Sequence, residues 1–407
     1  MLAKDSPAVV TPSKISQPLV QSPPVARCEV CVIVPVRNEA ATLQTTLNAL
    51  ENQVDLNHQR LHFDRYEIIL LANNCSDDSA AIARRFAQQH PQLNLHVVER
   101  TLPPSEAHIG RVRQLLMDEA YRRLSQIGRK RGVIASTDGD SQVSPTWIAA
   151  TLHEIERGAD AVGGRIMLDR AGLNRLDPYA KACHLREVGY RSLIAELESY
   201  LDPDPHDRSP RHYQHYGASF AVTAEIYAQA GGMPLVRTPE DVALYRALLR
   251  VNARFRHSPI VRVTTSARQT GRAELGLANQ LNVWTAMGQQ RQPFLVESAA
   301  AIVARLQARH QLRELWGRSL SGYPPSIDLH SLADRLGIAA EWLQQELAQP
   351  QTFGLLYERV EQRQQVENIW AQRWPLVAIE FAIQELRIHL EKIKQCHNVN
   401  VLKAISK

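Results

Sequence analysis

The sequence has no run of about 18 uninterrupted apolar residues, so it offers no membrane-spanning helix, although a peripheral membrane contact stays open. No continuous apolar core follows its early lysines, so no signal peptide is expected. Cysteine is scarce: Cys28, Cys31, Cys75, Cys183 and Cys396 form an odd, scattered set. That set argues against a disulfide framework and for reduced thiols in a cytoplasm. Cys28 and Cys31 have metal-like spacing, but no second pair accompanies them and both fall at an expected strand, so they read as core or surface thiols. Neither a Gly-x-Gly-x-x-Gly loop nor a Walker loop occurs, which counts against dinucleotide and P-loop chemistry. Excess charge is also small, +5 over 407 residues, and the densest basic run, Gly128 to Gly132, is short. Nucleic acid is therefore not an expected partner. No internal repeat or extended low-complexity segment is present.

What is present is an ordinary globular composition, 44% hydrophobic and 22% charged, with length enough for two or three domains. Residues 1–27 hold Pro, Ser, Lys and Gln without apolar periodicity and read as a flexible tail. Strands are expected at Glu29–Val34, Tyr66–Ala72, Leu93–Val98 and Val133–Thr137. Between them lie helical patterns: Leu43, Leu47 and Leu50 on one face, then Ile82 and Phe86 behind a Ser76–Asp78 cap, then Val112–Ile127. Such alternation predicts an α/β fold, a doubly wound and mostly parallel sheet with helices on both faces. Further strand-like runs occur at 161–164, 219–222 and 260–265, and the Pro- and His-rich stretch Asp202–His215 reads as a mobile surface loop. From about Gln290, apolar positions such as Ile302, Leu306, Ile379, Ile383, Leu386 and Leu390 recur at helical spacing. The expected division is a nucleotide-binding half at about 28–145, an acceptor half at about 146–275 and a helical region at 276–407. That last region leaves a homo-oligomer open.

Ligands on such sheets gather at the carboxyl ends of the strands. Three polar loops fall there: Arg37-Asn38-Glu39, Asn73 through Ser79, and Asp138 through Ser141. Asp138 and Asp140 flank Gly139, so an extended chain would point both carboxylates the same way. Two hard oxygen ligands with positions left for water and phosphate suit Mg²⁺ or Mn²⁺ held against a diphosphate. Asp-Gly-Asp is also common turn chemistry, so the neighbouring loops decide the reading. Downstream, Thr238-Pro239-Glu240-Asp241 makes a good helix start, with a threonine cap, proline at the first position and acids in the first turn.

Taken in order, VIVPVRNEAATL, LANNCSDDSA, STDGDS and TPEDVAL resemble the family 2 glycosyltransferases of the GT-A fold, over roughly residues 29–270. The resemblance implies that Pro35, Arg37, Asn38 and Glu39 line the nucleotide, that Asn73 and Asp77 sit near the base, and that Asp138 and Asp140 hold the metal on the donor diphosphate. It marks His108 to Arg111, including Gly110, with Arg113 as the segment that closes over the nucleotide. Gly217 and Ala218 are expected near the donor sugar. An acceptor hydroxyl needs a carboxylate base, for which Glu240 and Asp241 are candidates; in the family the Asp usually serves.

One departure stands out. Related enzymes often place a histidine after a later strand as a further metal ligand, whereas here Ser266-Ala267-Arg268 follows Ile260–Thr265, and His257 precedes that expected strand. Either water and phosphate complete the metal, or Arg268 and Arg272 supply positive charge to the diphosphate. His206, His212 and His215 are spaced too irregularly for a metal cluster and read as surface or acceptor contacts. The expectation is a soluble, cytoplasmic enzyme that moves one sugar from a nucleotide diphosphate donor to a hydroxyl acceptor, with inversion. The rivals are a sugar nucleotidylyltransferase, whose Gly-rich amino-terminal signature is missing, and a catalytically silent nucleotide-binding scaffold.

Overall fold

The computed structural model describes residues 17–269, 271, 276–321, 327–349 and 351–405. Its chain divides into two compact units, one of residues 1–175 with 214–280 and one of 176–213 with 281–407. This differs from the division expected from sequence, which put 176–213 in the acceptor half. The Pro178–Leu201 helix is the reason: Tyr190 and Leu197 bury against Ile302, Leu306, Leu386 and Leu390 of later helices.

The first unit is built on one eight-stranded sheet. Its strands are β1 (Val30–Val36), β2 (Tyr66–Asn73), β3 (Leu95–Arg100), β4 (Val133–Ser136), β5 (Ser141–Val143), β6 (Ala161–Leu168), β7 (Phe220–Thr223) and β8 (Phe255–Thr265). They lie in the order β3-β2-β1-β4-β7-β6-β8-β5. The β3-β2-β1-β4 half is wholly parallel, as the alternation of strand and helix requires. β7 runs antiparallel between β4 and β6, and β5 closes antiparallel on β8, so the later half is mixed. β1 and β2 are buried at every position, which explains their unbroken apolar sequence. Alternate residues feed two cores: Val32, Val34, Ile68 and Leu70 face the Leu43–Glu51 and Ser79–Gln89 helices, and Ile33, Ile69 and Leu71 face the Ile109–Gln126 helix.

Two local expectations need correcting and one refining. Residues 17–27 are not loose, because Leu19 and Val20 donate their N–H groups to Glu119, and Arg123 donates to the carbonyls of Ser22 and Pro23. Within the Ser76–Asp78 cap, Asp78 takes the cap position without a side-chain bond, Asp77 accepts the Ser79 N–H, and Ser76 is engaged by Asn38. The stretch 202–213 is not a mobile surface loop: Asp202, Asp207 and His212 are buried, and Arg211 ties Asp207 to Glu198.

The strap of residues 17–27 depends on a fully buried ion pair between Arg123 and Glu67, 2.6 Å from Nε to Oε2, whose other carboxylate oxygen accepts the Val25 N–H. Removing one partner strands the other charge in the core. Glu67→Ala is expected to cost about 3–5 kcal/mol of stability, read from denaturant unfolding. A loss near zero would show that the pair is not holding the strap.

The second unit is helical, as its periodicity predicts, with one short ribbon of β9 (Leu295–Val296) and β10 (Val377–Ala378). Its helices Ala299–Ser321 and Ile379–Ile405 pack with Pro178–Leu201, and Leu312, Leu336, Leu343, Leu356 and Val360 form a further core. Buried Asp202 accepts from Arg309 and, at 3.0 Å, from Arg313. Among the described residues no helix is long and apolar enough to cross a membrane.

Candidate functional site

The three polar loops do meet at the carboxyl edge of β1, β2 and β4. Asn38, at φ 56, turns the chain out of β1 and lies against the loop after β2: its Oδ1 accepts the Ser76 N–H at 2.7 Å and its Nδ2 donates to Ser76 Oγ. Asp77 accepts the Ala40 N–H, and Ser79 Oγ accepts the Glu39 N–H at 2.7 Å. Gly139 fits under Glu39, because a Cβ there would lie 3.1 Å from the Glu39 Cγ and 3.1 Å from a Val36 methyl. Its carbonyl accepts from Thr46 Oγ1 at 3.0 Å. Glycine at 139 therefore lets the aspartate turn press against the β1 loop.

Two arginines tie the acidic groups together. Arg113, buried on the Ile109–Gln126 helix, donates through Nη2 to Asp138 Oδ1 at 2.6 Å and through Nη1 to Glu240 Oε1. Arg268 places both Nη groups on the Glu39 carboxylate, and its Nη2 also lies 3.1 Å from Asp140 Oδ2. Asp241 accepts the Gly217 N–H on Oδ2 and the Val242 N–H on Oδ1, both at 2.8 Å. Glu39, Asp138, Asp140 and Glu240 are thus linked to two guanidiniums and Asp241 to backbone N–H groups, so five carboxylates and two guanidiniums leave three formal negative charges in the cluster. Burial pushes the Asp140 carboxyl up to about 6, with Asp138 adding to the rise and Arg268 opposing it. Burial also raises Asp138 and Glu240, in each case against the pull of Arg113. Negative charge outnumbers positive charge there, so the cluster has room for a further cation.

No group of three or more His, Cys, Asp or Glu among the described residues is arranged to hold a metal ion. Asp138 and Asp140 offer two hard oxygen donors in a cluster of excess negative charge. That fits a cation completed by water and phosphate oxygens, and not one caged by protein alone. His257 lies within β8, which starts earlier than expected, and packs among Phe255, Tyr245 and His215. Cys28 and Cys31 are buried thiols 3.9 Å apart, as the core reading has it, and all five cysteines are free.

The remaining expected residues divide. Pro35, Arg37, Asn38, Glu39, Asn73 and Asp77 stand at the edge of β1 and β2. Arg37 reaches the Ala107 carbonyl, and Asn73 Oδ1 is buried without a hydrogen-bond partner. Gly110 lies so close to the chain at Val236 that a Cβ would fall 1.7 Å from that carbonyl oxygen. Gly217 and Ala218 are buried in a short turn before β7, and Ser136 Oγ donates to the Gly217 carbonyl at 2.9 Å. The helix start is not the one expected: Pro239 takes the cap position, Thr238 makes no cap, and Glu240 opens the Glu240–Arg250 helix. Glu240 is buried while Asp241 keeps partial exposure. Arg272 lies outside the described residues. Sequence reasoning missed the Arg113 bridge from Asp138 to Glu240, since it joins positions 25 and 127 residues away in the chain.

Gly217 is a test of that bridge. A Cβ there would sit 1.8 Å from Arg113 Nη1 and 2.2 Å from its Cζ, so any side chain expels the guanidinium. Gly217→Ala is expected to destabilise by about 1–3 kcal/mol and to weaken nucleotide binding, read by unfolding and by titration with UDP and GDP. Unchanged stability and affinity would remove Arg113 from the site.

Residues 31–207 match the family model described as glycosyl transferase family 2. Over 138 residues the chain is 25% identical to glycosyltransferase AglE of Haloferax volcanii, a match spanning 34% of this chain and 39% of that protein. Among solved structures, the mannosyltransferase PcManGT of Pyrobaculum calidifontis in complex with GDP-Man and Mn²⁺ is similar at 17% identity and TM-score 0.39, covering 92% of this chain and 90% of that one. S. aureus TarS 1–349 in complex with UDP is similar at 14% identity and TM-score 0.42, covering 90% and 91%.

Proposed function

We propose that this chain, whose residues 31–207 match the family model of the family 2 glycosyltransferases, moves a single sugar from a nucleotide diphosphate donor to a hydroxyl acceptor with inversion. The observation that carries this reading is the linkage of Asp138 to Glu240 through Arg113, and of Asp140 to Glu39 through Arg268, at the carboxyl edge of the sheet. Nucleotide contacts are assigned to Pro35, Arg37, Asn38, Glu39, Asn73, Asp77, Gly110 and Arg113. Asp138 and Asp140 would hold Mg²⁺ or Mn²⁺, which when bound offsets the charge that develops on the departing diphosphate.

Asp241 is the base in this account. The Gly217 and Val242 N–H groups orient its carboxylate, and each oxygen keeps a lone pair with which to accept the acceptor's hydroxyl proton. Glu240 is buried on Arg113 and serves as a clamp that fixes Arg113 for Asp138, which separates the roles of the two adjacent acids. Gly217 and Ala218 would pass close to the sugar.

The test is a panel of nucleotide sugars incubated with the protein and Mn²⁺. Release of nucleoside diphosphate supports sugar transfer. With pyrophosphate added, formation of nucleoside triphosphate and sugar 1-phosphate would point to nucleotidyl transfer, and no turnover of any donor to a silent scaffold.

A further inference from the structure

Arg268 stands against Asp140, whose carboxylate a cation would also use. Its guanidinium takes both oxygens of Glu39 and one of Asp140. Arginine is not deprotonated in proteins, so this positive charge leaves only by moving. The backbone beside it is fixed: the Ala267 N–H donates to Asp169 Oδ2 at 3.2 Å, and Asp169 Oδ1 accepts the Gly172 N–H at 2.6 Å. Ala267 is itself buried, so the freedom to move belongs to the Arg268 side chain, which is 29% exposed.

We propose that Arg268 is an internal cation that competes with the divalent ion for Asp140, so that the ion is admitted together with the donor's diphosphate and not ahead of it. The proposal rests on the reading of Asp138 and Asp140 as the metal-holding pair. A divalent ion arriving alone meets a carboxylate already neutralised and a like charge beside it. A diphosphate changes that balance, because it offers the guanidinium fork a better match than Asp140 does and brings oxygen ligands for the ion. Arg268 thus holds Glu39 and Asp140 in place before loading and turns to the phosphates on loading.

The experiment is titration of the full chain with Mn²⁺ alone, following the free Mn²⁺ signal by electron paramagnetic resonance, and again with inorganic pyrophosphate. Arg268→Ala is expected to bind Mn²⁺ alone roughly ten-fold more tightly than the unaltered protein, and to lose most of the tightening that pyrophosphate brings. Arg268→Lys keeps the charge but not the fork and should fall between them. If Arg268→Ala folds poorly, the lysine variant carries the same test. Mn²⁺ affinity that is unchanged or weaker in both variants overturns the proposal. Asp140→Ala separates the two levels. If it abolishes Mn²⁺ binding while the arginine variants gain nothing, only the competition is wrong. If Mn²⁺ binds as well without Asp140, the metal reading itself has failed.

Discussion

Asp140→Ala is expected to abolish metal-dependent nucleotide binding. The side chain is one of two carboxylates at the tip of the β4 loop, and its carboxyl is raised to about 6 by burial beside Asp138. Removing it would take away a proposed oxygen ligand of the cation, together with the Arg268 contact. Loss of a group that merely orients a ligand costs about 10–100-fold in metal affinity, so loss of the ligand itself should exceed that range. Calorimetric titration with UDP and GDP, with and without Mn²⁺, reads the effect. The expected pattern is a Mn²⁺-dependent gain in the unaltered protein that vanishes in the variant. Equal affinity in both proteins would remove Asp140 from the metal's coordination.

Asp241→Asn is expected to spare donor affinity and remove turnover. Asparagine has the same shape but cannot take a proton from the acceptor at neutral pH. General base catalysis is worth about 10²–10⁴ in rate, and the loss should fall in that range. The structure also states what the substitution costs. One carboxamide oxygen can still accept from Gly217 or from Val242, but the amide nitrogen then faces the other N–H, so one of two backbone bonds is lost. A stability loss of about 1 kcal/mol is compatible with an intact donor site. Steady-state turnover and nucleotide titration together separate the outcomes. Full activity in the variant would assign the proton to another group.

Much of the first unit was legible because its signals are local. β1 and β2 are continuous apolar runs, and Leu43, Leu47 and Leu50 repeat at helical spacing, so the parallel half of the sheet and the place of its loops followed from pattern alone. The Asp138-Gly139-Asp140 turn was visible for the same reason. The parts that were missed depend on partners far away in the chain. Residues 17–27 carry no periodicity, and what orders them is Glu67, Glu119 and Arg123, the first 42 residues beyond its Val25 partner. β7 enters between β4 and β6 through pairings that a four-residue strand does not advertise. The Pro178–Leu201 helix reads as part of the acceptor half until its buried face is matched to the helices after residue 299. Within the site, the resemblance marks Arg113 as part of the segment that closes over the nucleotide but says nothing of its partners. Its guanidinium is shared between Asp138 and Glu240.

The central claim is that the aspartate pair holds a divalent cation against a donor diphosphate. Anomalous diffraction at the manganese edge, from crystals grown with Mn²⁺ and a nucleoside diphosphate, tests it most directly. The account predicts one manganese peak at coordination distance from Asp138 or Asp140 and from phosphate oxygens. A nucleotide bound with no manganese there, both aspartates still paired with Arg113 and Arg268, would contradict it.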